Sequence, residues 1–445
     1  MILTLPNSIR VLTSYVLLEQ ETWFEDEFPF VGKCMQPDEC AVDVGANFGL
    51  YTAMLAQAVG PGGRVLAFEP AARTADFLRE SMMSNAARQV EIIQAALSES
   101  AGAAALSSAD GPEHNILSTN APQGAHELVN VVTLDDSIRE YCVGAVAFVK
   151  IDVEGHERAV ARGALSILER DEPLVMFEVS REQADFGFLD EVRALGFEAY
   201  RLIPGPGLLA PLAADDPIDG FLLNLFAGTP GRASMLESRQ LLARGAGTVA
   251  APASYEEALG YHAISLSNDA TPADRIAHLA RSRAWLQRAC AEQPTIPRLL
   301  SYSRVAADAG RRAEALGALN KLIELSGLTG QLSLHEPALA PHPRYDTMDP
   351  GDDTASWIKC AVLETCVRRH AFSTLFSGTQ ALGLLEQIRS LPFYCAEMER
   401  RRQLIRICHE RQRRPEPHPL VCRIAPDNLN PGLWSGNEDA AWGLY

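Results

Sequence analysis

Apolar and polar positions follow two different rhythms along this chain, and the rhythm changes near residue 228. Between residues 41 and 228, short apolar runs of strand length recur at 41–44, 64–69, 90–96, 128–133, 146–152, 173–179, 198–203 and 221–226. Helix-length stretches fall between most of them, at 50–59, 71–85, 156–170 and 182–195. Strands alternating with helices predict a parallel sheet covered on both faces. Residues 97–127 break the alternation with Gly102, Gly111, Pro112, Pro122 and Gly124, which predicts an irregular or β-rich insertion. The last two strands are separated by Pro204-Gly205-Pro206-Gly207 with no helical stretch, so a hairpin is expected, with the last strand antiparallel at the sheet end.

Beyond Gly228 the pattern turns helical and is rich in Ala, Leu and Arg up to residue 415. Thr271-Pro272 is a helix start, a capping hydroxyl followed by proline in the first turn, and the helix should end before Pro294. Leu299 to Leu325 predicts a helical hairpin with Gly310 in the turn, similar to one tetratricopeptide-type unit. Residues 327–354 read as loop. The expected divisions are a helical preface at 1–40, with a helix or helix-turn over Tyr15 to Glu27, an α/β domain at 41–228, an α-helical domain at 229–415 and a tail at 416–445. Within that tail Trp434 to Tyr445 is aromatic enough to dock.

Composition narrows the function classes. A chain of 445 residues is too long for one ordinary core. Net charge is -18, which argues against a nucleic-acid backbone as partner, since phosphate binding needs basic patches. Arg400-Arg401-Arg402 and Arg411 to Arg414 read as a solvated helix face, with a phosphate-bearing acceptor as the alternative. No apolar run reaches membrane-spanning length. The nine cysteines are odd in number and lack a C-x-x-C pair, which fits reduced thiols in a cytoplasm better than a disulfide framework or a zinc site.

The chemistry concentrates at Asp43-Val44-Gly45-Ala46-Asn47-Phe48-Gly49. A short apolar strand turns through two glycines into a helix that stops at Gly60-Pro61-Gly62-Gly63. A second apolar run then closes on Glu69-Pro70. This is the layout of a nucleotide-binding βαβ unit. Gly45 and Gly49 would let the backbone approach a ligand, and Glu69 could accept both ribose hydroxyls. The third glycine of the dinucleotide pattern is missing, and Asp43 would repel a phosphate. A carboxylate there suits a ligand with positive groups, such as S-adenosyl-L-methionine (AdoMet).

The α/β half resembles the FkbM family of AdoMet-dependent O-methyltransferases. The resemblance rests on Val42 to Thr52, Phe68-Glu69-Pro70, Val132 to Asp136, Val149-Lys150-Ile151-Asp152-Val153-Glu154-Gly155-His156-Glu157 and Phe177-Glu178, in matching order over residues 15–228. It implies a Rossmann-like seven-stranded methyltransferase sheet and methyl transfer to a hydroxyl of a glycan, glycolipid or secondary metabolite. It implies that Asp43, Gly45, Asn47 and Gly49 line the methionine end of AdoMet and that Glu69 holds the ribose. Ala95, Ala96 and Leu97 would flank the adenine, with Asp152 beside the transferring methyl.

An alcohol attacking a sulfonium methyl needs alignment and a base for its proton. His156 is the first candidate, because an ordinary imidazole titrates near working pH. It could instead only orient Asp152 or Glu154. Asp152 and Glu178 are the alternative bases. Asp152, Glu154 and Glu178 could together hold a divalent cation, although no metal is assigned. Glu154, His114 and Asn115 are candidate acceptor contacts, the last two from the insertion. Trp23 and Glu25 could close over the cofactor or simply seal the sheet end. Two other functions compete: a protein-interaction module using the helical hairpins with the methyltransferase fold as scaffold, and a nicotinamide dehydrogenase, which the missing glycine and Asp43 disfavour.

Overall fold

A computed structural model describes residues 1–107, 116–118, 126–141, 144–179, 187–213, 216, 221–245, 247–329, 332–410 and 419–423. The chain forms two compact units, one of Met1–Arg201 and Pro211–Ser238 with a strand from the tail, the other of Leu202–Ala210 and Arg239–Gln412.

The first unit opens with β1 (Ile2–Pro6), α1 (Leu12–Gln20) and α2 (Glu27–Cys34). The alternating segment follows as β2 (Cys40–Val44), α3 (Leu50–Val59), β3 (Arg64–Phe68), α4 (Ala72–Ser84) and β4 (Val90–Ile93). The insertion supplies β5 (Ala96–Leu97), β6 (Gly102–Ser107), β7 (Ile116–Ser118) and β8 (His126–Val132). Then come α5 (Leu134–Glu140), β9 (Val146–Ile151), α6 (Glu157–Arg162), α7 (Leu165–Asp171), β10 (Leu174–Glu178) and α8 (Gly187–Val192). Beyond α8 the chain forms β11 (Glu198–Ile203), β12 (Leu208–Pro211, all but its last residue within the second unit's Leu202–Ala210), β13 (Asn224–Gly228) and α9 (Pro230–Ser238).

The main sheet runs β12-β11-β13-β10-β9-β2-β3-β4. From β10 to β4 the strands are parallel. The direction of winding reverses at β2, which lies between β9 and β3, and a reversal of this kind opens a crevice at the carboxyl ends of the strands. The seven expected strands are joined by an eighth, β12, at the edge. The expected place of the last strand is corrected: β13 lies between β10 and β11, antiparallel to both. Its Leu225, Phe226 and Ala227 are fully buried, so it needs a neighbour on either side as well as cover on both faces.

Other expectations shift for local reasons. The run 90–96 is cut after Ile93, and 128–133 leaves the main sheet; β5, β8, β6 and β7 form a separate four-stranded sheet. In β8, Val129 and Val131 are buried while Leu128 is exposed, the alternation of a sheet with one face in water. The helix expected over 156–170 breaks into α6 and α7 at Gly163, where a β-carbon would sit 2.0 Å from the Ser98 carbonyl oxygen. Residues 182–186 of another expected helix lie outside the described residues. The helix expected over Tyr15 to Glu27 ends early, because Glu21 adopts a left-handed φ of 61° and closes α1 on the Leu17 carbonyl.

The second unit contains α10 (Tyr255–Leu266), α11 (Pro272–Glu292), α12 (Ile296–Asp308), α13 (Arg312–Ser326), α14 (Thr354–His370), α15 (Thr374–Ile388) and α16 (Ala396–Glu410). Thr271 caps α11 by accepting the Asp274 N–H, and Gly310, at φ 70°, turns α12 into α13. Leu286, Leu300, Val305, Leu319, Ile358 and Leu385 lie at the centre of its core. Arg400, Arg401 and Arg402 are not a solvated face but buried. Glu397 pairs with Arg401, and Glu399 and Glu386 with Arg402, so glutamates one turn away or on a neighbouring helix neutralise the charge. Arg411 to Arg414 and Trp434 to Tyr445 lie outside the described residues. The tail contributes β14 (Pro419–Arg423), which pairs antiparallel with β1. Among the described residues no helix is long and apolar enough to cross a membrane.

Candidate functional site

The first wall of the site is the turn from β2 into α3. The Gly45 and Ala46 N–H groups both donate to the Phe68 carbonyl at the end of β3, at 3.1 and 2.9 Å, and Asp152 N–H donates to Val44. The three strand ends are thereby stitched together. Gly45 has φ +76°, and a β-carbon there would lie 1.9 Å from the Asp152 carbonyl oxygen. At Gly49, φ +90°, it would lie 2.5 Å from Leu78 Cδ1. Both glycines therefore answer to close packing within the protein, a different reason from the ligand clearance that the sequence suggested.

Glu69 follows β3 and is 5% exposed. Its Oε2 accepts the Asn47 N–H at 3.0 Å and its Oε1 the Ala71 N–H at 2.9 Å. Burial pushes its carboxyl up to about 7, against the two backbone hydrogen bonds that favour the charged form. Each oxygen keeps a second lone pair for a hydroxyl donor. Asn47 takes a left-handed φ of 50°, and its buried Oδ1 accepts no hydrogen bond among the described residues. Ala95 and Ala96 are buried in the chain after β4, and Ala96 packs with Ala71, Ala104, Leu106, Val129 and Val131.

The second wall is the end of β9. Lys150 is buried in an otherwise apolar strand, Phe148-Val149-Lys150-Ile151. Its Nζ lies 2.9 Å from Asp152 Oδ2, 3.8 Å from Asp43 Oδ1 and 5.1 Å from the centre of the Tyr51 ring. Burial opposes its charge, but Asp152 and Asp43 outweigh that and raise its pKa. Asp43 is fully buried, with Oδ2 accepting the Thr52 hydroxyl at 2.6 Å and Oδ1 taking no hydrogen bond among the described residues. Burial raises its pKa against the pull of Lys150. The Tyr51 hydroxyl donates to Glu25.

The rim carries the remaining candidates. Phe177 is in register with Ile151, so Glu178 and Asp152 leave neighbouring strands side by side. Burial first, then the charges of Asp152, Glu154 and Glu157, push Glu178 up to about 9. Glu154 is exposed at φ 50°, and Glu157 accepts the Gly155 N–H. His156 stands at the start of α6 with Nε2 3.0 Å from Ser98 Oγ. Burial lowers its pKa, with Glu99 opposing, so the ring is neutral at pH 7. Among the described residues no three His, Cys, Asp or Glu side chains gather as metal ligands. His114 and Asn115 lie outside the described residues. Lys150, Tyr51, Thr52 and Ser98 went unassigned in the sequence. A lysine inside a strand that reads as buried on both faces is the signal that would have found the first.

Residues 43–199 match the methyltransferase FkbM domain. Over that stretch the chain is similar to FkbM methyltransferases. No curated protein matches the chain in sequence. Among solved structures, an FkbM methyltransferase from Methylobacillus flagellatus is 20% identical over 43% of this chain and 44% of its own, with a TM-score of 0.30. An AdoMet-dependent O-methyltransferase from Thermotoga maritima is 15% identical over 46% and 64%, at 0.27. A methyltransferase from Streptococcus mutans in complex with S-adenosylhomocysteine is 13% identical over 45% and 94%, at 0.29. The chain thus spans less than two thirds of the first two.

The polar chemistry of this site fits AdoMet. At the ends of β2, β3 and β9 it presents acceptors and negative charge: Asp43, Glu69, Asp152 and the unpaired Oδ1 of Asn47. AdoMet presents donors and positive charge in its ammonium, sulfonium and ribose hydroxyls. A dinucleotide pyrophosphate would bring negative charge to the same carboxylates.

Proposed function

We propose that the chain is an AdoMet-dependent O-methyltransferase acting on a hydroxyl of a glycan, glycolipid or secondary metabolite. The observation that carries this reading is the position of Glu69. It is a buried carboxylate at the end of β3, anchored by backbone N–H groups on both oxygens and one strand away from Asp43. A carboxylate so placed can take both hydroxyls of a ribose without moving. When bound, AdoMet supplies an electrophilic methyl and a neutral thioether leaving group.

The chain's own residues position and deprotonate. Asn47 and the Gly45 turn hold the methionine end, and Asp152, kept in place by Lys150, borders the point of transfer. His156, held by Ser98 and neutral, takes the hydroxyl proton. Asp152 is the other group within the rim that can take it; Glu178, pushed up to about 9, already holds a proton at neutral pH. Glu154 contacts the acceptor from the exposed side, where His114 and Asn115 are the candidates from the insertion. A cytoplasmic location follows the cysteine usage.

Replacing His156 with Gln keeps an amide to meet Ser98 and removes the base. Transfer of labelled methyl to a hydroxyl acceptor should fall by about 10²–10⁴-fold while AdoMet affinity stays within about twofold. Near-normal transfer would move the proton elsewhere. Labelling of amine or carboxylate acceptors in preference to hydroxyls would overturn the reading of the chemistry.

A further inference from the structure

The loop between α1 and α2 reaches this site from outside the matched residues 43–199. It is fixed at both ends. Glu21 closes α1 with its N–H on the Leu17 carbonyl, and at the start of α2 the Phe28 ring meets Tyr51 edge-on at 5.2 Å. Between them Glu25 is half-buried and accepts the Tyr51 hydroxyl through Oε2 at 2.5 Å. The Tyr51 ring faces Lys150, and Lys150 touches Asp152 and Asp43. Glu25 is in turn acted on by the charges of both Asp152 and Lys150.

Three carboxylates therefore surround one ammonium. Glu25, Asp43 and Asp152 exceed Lys150 by two negative charges, and the fully buried Oδ1 of Asp43 accepts no hydrogen bond from any of the described residues. Burial holds the Glu25 carboxyl above its ordinary range, the cost of leaving such a group in place without a cation. A cationic ligand group at the ends of β2 and β9 removes this imbalance. On the reading above, AdoMet carries one there, its α-ammonium, and the adenosine lies toward Glu69.

We infer that Glu25, oriented by Tyr51, is a cofactor-binding residue that holds the α-ammonium of AdoMet through its Oε1. The inference rests on the AdoMet reading, and two ligands separate their failures. S-adenosylhomocysteine has the ammonium, and 5′-methylthioadenosine keeps the nucleoside and thioether without it. Titration calorimetry on the full chain compares Glu25→Gln with the unaltered protein. The expected result is a loss of about tenfold or more in S-adenosylhomocysteine affinity and little change for methylthioadenosine. Tyr51→Phe keeps the carboxylate and loses only its orientation, so a smaller loss on the same ligand is expected. Equal weakening of both ligands by Glu25→Gln, or no weakening of either, overturns the inference. Failure of the unaltered protein to bind either ligand overturns the AdoMet reading itself.

Discussion

Lys150→Met tests how the two walls of the site are held together. The side chain is 5% exposed and serves two carboxylates, Asp43 at 0% and Asp152 at 42%. Removing one member of a buried pair costs about 3–5 kcal/mol, because the other is left uncompensated. Asp43 meets that condition. Asp152 is exposed enough for water to screen it, so its share is small. A loss of about 3 kcal/mol at neutral pH is therefore expected. It should also depend on pH in one direction. Burial already raises the Asp43 pKa against the pull of Lys150, and without the lysine it climbs further. A raised carboxylate pKa costs stability above the unfolded-state value, near 3.8, and nothing below it. The variant's deficit should thus be larger near pH 7 and shrink toward about pH 4. Urea unfolding followed by hydrogen-exchange mass spectrometry of peptides covering β2 and β9 reads this unit alone. Adding Asp43→Asn should recover most of the loss, since an amide still accepts the Thr52 hydroxyl and needs no cation. A deficit equal at both pH values, or one that the second substitution leaves in place, would mean that Lys150 does not compensate the buried Asp43.

Two further substitutions read other parts of the site. Gly45→Ala places a β-carbon 1.9 Å from the Asp152 carbonyl at a positive φ, so the two strand ends must part. AdoMet binding by calorimetry should be lost and unfolding should occur about 2 kcal/mol or more earlier; a variant that binds normally would contradict the stitching of β2 to β9. Glu178→Gln removes a carboxyl whose pKa stands at about 9 in the folded chain and near 4.5 otherwise. The folded protein holds the extra proton, so native stability falls as pH rises from about 4.5 to about 9. The variant should be the more stable protein near pH 8 by a few kcal/mol and equal to the parent near pH 4.5, as read from urea midpoints. Lower stability at pH 8 would mean that Glu178 is a paired carboxylate.

The fold was most legible where local chemistry decides it. Gly45, Gly49 and Gly60 bound α3, and Thr271 and Gly310 mark a helix start and a turn, because capping and left-handed conformations are properties of single residues. It was least legible where distant segments choose partners. Nothing local in Ile2–Pro6 announces Pro419–Arg423 as its neighbour, and the apolar run at 224–228 does not say between which strands it will lie. The small sheet was hidden because Val90 to Ala96 reads as one strand, although Ile93 and Ala96 end in different sheets.

The site divides in the same way. Glu69, Asp152 and Glu178 are visible as acids that close apolar runs, and parallel register brings the last two together. The role of Lys150 was concealed, since its meaning depends on Asp43 across the sheet, and the buried arginines of α16 looked solvated until Glu386 on α15 and the flanking glutamates were placed.

The most direct measurement is a crystal structure of the chain soaked with S-adenosylhomocysteine. The ligand is expected at the carboxyl ends of β2, β3 and β9, with ribose hydroxyls on Glu69 and the amino-acid end toward Asn47 and Asp152. An empty crevice there, or a ligand whose ribose lies away from Glu69, would contradict this placement.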